Sequence, residues 1–169
     1  IYIEGDGTPW INGKWIASDP TPRKAVMLEL MRMDTSPAVL LGRPCYHLKS
    51  EDNDCEPNDW TMGRYSPKII ASMSDAIEAL RQQLGFSEVV LFGHSGGGTI
   101  ALLLAHYMLD HSSLIQPLPE KRQELKSKEF ELEEHQLKEQ EPQEQVKLSA
   151  LVTLAANIDT DAWTNSHGY

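Results

Sequence analysis

Two spacings of apolar residues take turns along this chain: short runs of adjacent positions, and repeats at three and four. Runs predict strands buried in a sheet, and the longer spacing predicts helices with one apolar face. Ile1 to Glu4 reads as a short strand entering the turn Gly5-Asp6-Gly7. Residues 8 to 20, with Trp10 and Trp15, read as an irregular stretch over the end of a sheet. Thr21 suits an N-cap with Pro22 in the first helical position, and Met27, Leu30 and Met31 follow at helical spacing to about Asp34. Ala38 to Leu41 is a second strand, and Gly42 to Tyr65 a long loop. Ser66 and Pro67 open a helix whose Ile70, Met73, Ile77, Leu80 and Leu84 share one face, and Gly85 ends it. Glu88 to Phe92 is a third strand, Gly98 to Leu109 an apolar helix expected to be buried, and Leu148 to Ala156 a returning strand. Such alternation predicts an α/β fold, a mostly parallel sheet with helices on both faces.

The rhythm breaks between about Ser113 and Lys147, which are rich in Glu, Gln and Lys, with Leu118, Leu125 and Leu132 spaced by seven. Three leucines are too few for a coiled coil. The segment reads as an exposed helical excursion from a single domain spanning residues 1–169, with a protein-binding helix at 120–145 as the sharper alternative.

Charge narrows the partners. A formal net charge of −10 repels phosphate backbones, and no stretch clusters Lys and Arg with aromatics, so nucleic acid is not expected as a partner. The apolar run Ile100 to Leu109 is interrupted by His106 and falls far short of the roughly 20 residues a bilayer crossing requires, so no membrane span is expected. Ile1 opens directly on a strand, which reads as a beginning inside a domain. Cys45 and Cys55 share one polar loop and are close enough in sequence for a disulfide; two free thiols are the alternative. An exported protein would carry the bridge and a cytoplasmic one would not, and the composition leaves both compartments open.

The chemistry concentrates at Gly93-His94-Ser95-Gly96-Gly97, a G-x-S-x-G between a strand and a helix. A nucleophilic serine there must sit on a sharp turn with its hydroxyl projecting from the sheet, and side chains at Gly93 and Gly97 would collide across that turn. The Gly96 amide lies near the positive end of the helix, where it can hold an oxyanion. Nucleotide binding is the competing reading. The glycines have P-loop spacing, but Thr99 and Ile100 stand where Lys and Ser or Thr belong. A dinucleotide site expects a second strand with an acidic end about 20 positions on, and the charged excursion stands there instead. No Cys or His spacing suggests zinc, and no cofactor is expected.

These features resemble the α/β-hydrolase superfamily. Ile1-Tyr2-Ile3-Glu4-Gly5-Asp6-Gly7, Leu41-Gly42-Arg43-Pro44-Cys45 and Asp161-Ala162-Trp163-Thr164 resemble bacterial α/β hydrolases of unassigned substrate. The resemblance covers nearly everything except the charged excursion and implies a hydrolase fold incomplete at both ends. It implies that the Asp6 amide, with Gly7 as the less favoured choice, completes an oxyanion hole with Gly96. Glu4 replaces the family's usual His, and reads as a turn carboxylate satisfied by nearby amides. The family's order of Ser, acid, His puts the acid and the His after strands beyond Leu148 to Ala156, and so past Tyr169. Within the sequence, Asp159 and Asp161 are candidate acids in a variant arrangement, with shaping a pocket or capping a turn as the alternative. His167 is the candidate base, on a loop reaching back over the sheet. His94 reads as a packing or pocket residue, and His106, His111 and His135 are poor bases by position.

The expected activity is acyl transfer from a small-molecule ester or related acyl compound through Ser95. A chain ending at Tyr169 is expected to present Ser95 without its base, to hydrolyse esters poorly, and to leave an open sheet edge at Leu148 to Ala156. The non-enzymatic alternatives are a hydrolase-like binding scaffold and an interaction protein using the charged helix.

Overall fold

The computed structural model describes residues 1–47, 54–113 and 146–156. Ten elements follow one another: β1 (Tyr2–Ile3), β2 (Trp10–Ile11), β3 (Trp15–Ile16), α1 (Val26–Met31), β4 (Leu40–Leu41), α2 (Pro57–Trp60), α3 (Pro67–Leu84), β5 (Glu88–His94), α4 (Gly96–Ser113) and β6 (Lys147–Leu154). Four strands form one parallel sheet in the order β4-β1-β5-β6, so the fold is mixed α/β, consistent with part of an α/β-hydrolase fold. From β1 the chain crosses to β4 on one side and then returns past β1 to β5 on the other. The direction of winding therefore reverses between β1 and β5, and ligands of open α/β sheets bind in the crevice beyond the strands' carboxyl ends at such a point.

The core lies where α3 and α4 cover the sheet. Ile3, Leu91, Ile100, Leu104, Met73 and Ile77 are essentially inaccessible, and each such side chain contributes about 1.5–3 kcal/mol by leaving water. The helix α3 follows its local signals at both ends. Pro67 fills its first turn and Gly85 ends it at a φ of +73°, donating its amide to the Arg81 carbonyl.

Three expectations are corrected. Residues 8 to 20 are not irregular throughout, because β2 and β3 pair antiparallel across Asn12 and Gly13, which stand at φ of +53° and +66°. That Asn-Gly pair is a hairpin signal in its own right. The first helix does not begin at Thr21. Asp19 accepts the Thr21 amide at 2.9 Å and the Thr21 hydroxyl accepts the His47 amide at 2.7 Å, so Thr21 belongs to the loop. Helix α1 begins at Val26, and Glu4 caps it from the end of β1, Oε1 accepting the amides of Met27 at 2.7 Å and Leu28 at 3.1 Å. Finally, α4 is buried on one face only: Ile100, Ala101, Leu104 and Ala105 face the core, whereas Leu102 and Leu109 are exposed.

The loop after β4 is organised around a disulfide. Cys45 and Cys55 are bridged, with Cα atoms 5.5 Å apart, and pack with Tyr46 and Trp60 in a small second cluster. The short helix α2 lies inside this loop, and its Trp60 donates Nε1–H to the Ala17 carbonyl at 3.0 Å, tying the loop to the residues after the hairpin. Among the described residues β6 forms the outer strand of the sheet, with Val152 and Leu154 exposed. The charged excursion lies outside the described residues, apart from its first and last few positions.

Candidate active site

Ser95 joins β5 to α4 at a φ of +51°, in the left-handed region that non-glycine residues rarely enter. Such strain persists only where surroundings over-determine it, and here the surroundings are identifiable. The Ser95 amide donates to the Leu154 carbonyl on β6 at 2.8 Å, and the Ser95 carbonyl accepts the Gly98 amide at 2.9 Å, which starts α4. A Cβ at Gly93 would overlap the Gly97 carbonyl and lie 2.6 Å from the Gly98 Cα. A Cβ at Gly97 would overlap the carbonyl oxygens of Ile3 and Glu4. The turn therefore closes only with glycine at both flanks, and it presses against the end of β1. Across that contact a Cβ at Gly5 would lie 3.3 Å from the Ser95 Cβ and 3.5 Å from the His94 Nδ1. Ser95 and the turn after β1 thus share the crevice where the sheet reverses its winding.

Asp6 reaches this crevice with its side chain as well as its backbone. Its carboxylate borders Gly96 so closely that a Cβ at 96 would overlap Oδ1 and lie 2.5 Å from Oδ2. Arg43 Nη1 donates to Oδ1 at 2.5 Å; Arg64 Nε and the Tyr65 hydroxyl donate to Oδ2 at 3.1 and 2.6 Å. The Tyr46 hydroxyl donates to the Asp6 carbonyl at 3.1 Å. Burial pushes the Asp6 carboxyl up, but Arg43, the Tyr65 hydroxyl and Arg64 together outweigh it and hold the carboxyl below its ordinary range. Burial, reinforced by the Asp6 charge, pushes the Tyr65 hydroxyl up, so it stays a donor at neutral pH.

The two guanidiniums are almost completely enclosed, their side chains being 2% and 3% exposed. Two cations against one carboxylate leave this cluster one net positive charge beside Gly96. Arg64 also donates through Nη1 to the Thr61 carbonyl at 2.5 Å. In Arg43, by contrast, Nε and Nη2 are buried with no hydrogen-bond partner among the described residues. An unsatisfied buried donor costs about 1–3 kcal/mol, so a pair of them on one cation is exceptional.

Sequence reasoning singled out Asp6 for its amide and missed Arg43, Arg64, Tyr46 and Tyr65 as its partners. Arg43 lies within Leu41-Gly42-Arg43-Pro44-Cys45, but no spacing signal connects it to Asp6, 37 positions earlier. His106 lies on the exposed face of α4, 3.2 Å from Asp110, and so is turned away from the core. His94 lies at the elbow beside Gly5. His135, Asp159, Asp161 and His167 fall outside the described residues, as does the side chain of His111. Among the described residues no group of three or more His, Cys, Asp or Glu is placed to hold a metal ion, and no helix is long and apolar enough to cross a membrane.

The family model described as the alpha/beta hydrolase fold matches residues 44–115, the stretch that contains α2, α3, β5, the elbow and all of α4. No curated protein and no solved structure matches the chain.

Proposed function

The chain belongs to the α/β-hydrolase superfamily on the match across residues 44–115, and from that premise we propose that it is a serine hydrolase acting on an ester or related acyl compound. The observation that carries the reading is Ser95 at positive φ between β5 and α4, packed against the turn after β1. A turn of this kind lifts the hydroxyl clear of the sheet and sets the Gly96 amide beside it.

In the proposed reaction Ser95 Oγ gives its proton to a histidine and bonds to the acyl carbon. The carbonyl electrons move onto oxygen, and the amides of Gly96 and Asp6 stabilise that oxyanion. The net positive charge of the Asp6, Arg43 and Arg64 cluster favours the same developing charge. The oxyanion then collapses, the leaving group departs with the proton from the imidazolium, and water activated by the histidine releases the acid. Asp159 and Asp161 stay candidates for the acid, and His167 for the base.

A fluorophosphonate probe tests the reading. Labelling of the intact protein should fall on Ser95 and vanish in Ser95→Ala. A folded protein that takes up no label would retire the enzymatic reading and leave the binding scaffold in its place.

A further inference from the structure

Arg43 stands just beyond β4, at the carboxyl edge of the sheet where Ser95 and Asp6 also lie. Its guanidinium lies 4.5 Å over the Tyr46 ring, and Nη1 is committed to Asp6. The remaining pair, Nε and Nη2, is the edge through which a guanidinium donates two parallel hydrogen bonds to a planar carboxylate. Both atoms of that edge are buried and without a partner among the described residues. A fork held rigid by a stacked ring and an ion pair, and left with its double donor unfilled, has the chemistry of a receptor for one anion.

Charge and geometry select which anion. The cluster's single net positive charge is neutralised by one carboxylate and over-neutralised by a phosphate dianion. The other buried carboxylates are already committed, Glu4 to the amides of α1 and Asp59 to Lys68 Nζ at 3.1 Å. The Asp6 carboxylate joins Arg43 on one side to Gly96 on the other, so the guanidinium sits one carboxylate away from Gly96 at the elbow. We propose that the Nε and Nη2 edge of Arg43 receives a carboxylate carried by the substrate, which makes the preferred substrates acyl compounds with a carboxylate a few bonds from the scissile carbonyl. The inference rests on the serine-hydrolase reading for its reaction, but not for its binding step. A neutral analogue would leave both donors buried and unpaired, and sites of this kind discriminate chiefly through that penalty.

The test compares the half-ester mono-p-nitrophenyl glutarate with p-nitrophenyl pentanoate, equal in chain length and differing in the terminal carboxylate. The intact protein should favour the half-ester at least tenfold in kcat/KM. Arg43→Lys keeps a cation for Asp6 but has no fork, and should bring that ratio close to one. A ratio near one in the wild type, or the same ratio in Arg43→Lys, would overturn the proposal. Should Arg43→Lys not fold, competition by free glutarate against the pentanoate ester decides on the wild type alone: competitive inhibition upholds the proposal and its absence overturns it. If Ser95 takes no fluorophosphonate and neither ester is cleaved, the hydrolase reading has failed separately. Calorimetric titration with glutarate then judges the site, saturable binding weakened at least tenfold by Arg43→Lys upholding it and no binding overturning it.

Discussion

The carboxylate of Asp6 rests against Gly96 with no room for a single methyl group between them. Gly96 is thereby fixed as glycine by a residue 90 positions earlier in the chain, independently of the crowding across the turn itself. Gly96→Ala must push the carboxylate away from Arg43 and Arg64 or open the elbow. The expected cost is about 1–3 kcal/mol, the usual range for overpacking. Misplacement of a reacting group by about 1 Å slows chemistry on the order of a hundredfold, so fluorophosphonate labelling of Ser95 should slow to that extent. Urea unfolding and labelling kinetics on the same preparation check both.

Asp6→Asn leaves two enclosed guanidiniums without their anion. Breaking a buried ion pair by removing one member costs about 3–5 kcal/mol, and chemical denaturation should show a loss of that size. The pH dependence has a definite sign. The Asp6 carboxyl is held below its unfolded value, so its contribution is fully present above about pH 4 and is lost as pH falls through the lower folded value. Stability of the wild type should therefore drop more steeply below about pH 4 than that of Asp6→Asn. Parallel acid limbs in the two proteins would contradict this.

Glu4 substitutes for a local cap on α1. Glu4→Ala deprives the Met27 and Leu28 amides of their acceptor in a buried setting. The expected loss is about 1.5–3 kcal/mol, the range for hydrogen bonds to a charged group. Amide hydrogen exchange should locate the weakening in α1, with α3 unaffected.

The Cys45 to Cys55 bridge closes a short loop, for which chain entropy gives roughly 3 kcal/mol of stabilisation. Thiol counting on unreduced native protein should find neither cysteine free. Reduction should lower the unfolding midpoint and release the turn in which the Tyr46 amide meets the Arg43 carbonyl at 3.2 Å.

Among the described residues β6 is the outer strand of the sheet, with Val152 and Leu154 exposed, and such an edge is a template for pairing with another chain. The 169-residue chain should self-associate in sedimentation velocity, increasingly with concentration, and Leu154→Lys should suppress the association. Concentration-independent sedimentation of the unsubstituted chain would contradict the prediction.

Features that depend on neighbours a few positions apart are legible in the sequence. Pro67 and Gly85 mark the limits of α3, and the spacing of Ile70, Met73 and Ile77 marks its buried face. The elbow is legible because the crowding of Gly93 against Gly97 is local to five residues, whereas Gly97 itself is held to glycine by the distant carbonyls of Ile3 and Glu4. The Asn12-Gly13 hairpin signal is equally local, both residues standing at positive φ. The fold shows where α1 begins, since its cap is a carboxylate 23 positions before Met27. It alone also placed Arg43 and Arg64 on Asp6, across 37 and 58 positions. A buried charge is satisfied by whichever partners the sheet's winding brings to its carboxyl edge, and sequence periodicity carries no information about side chains that meet from three different loops.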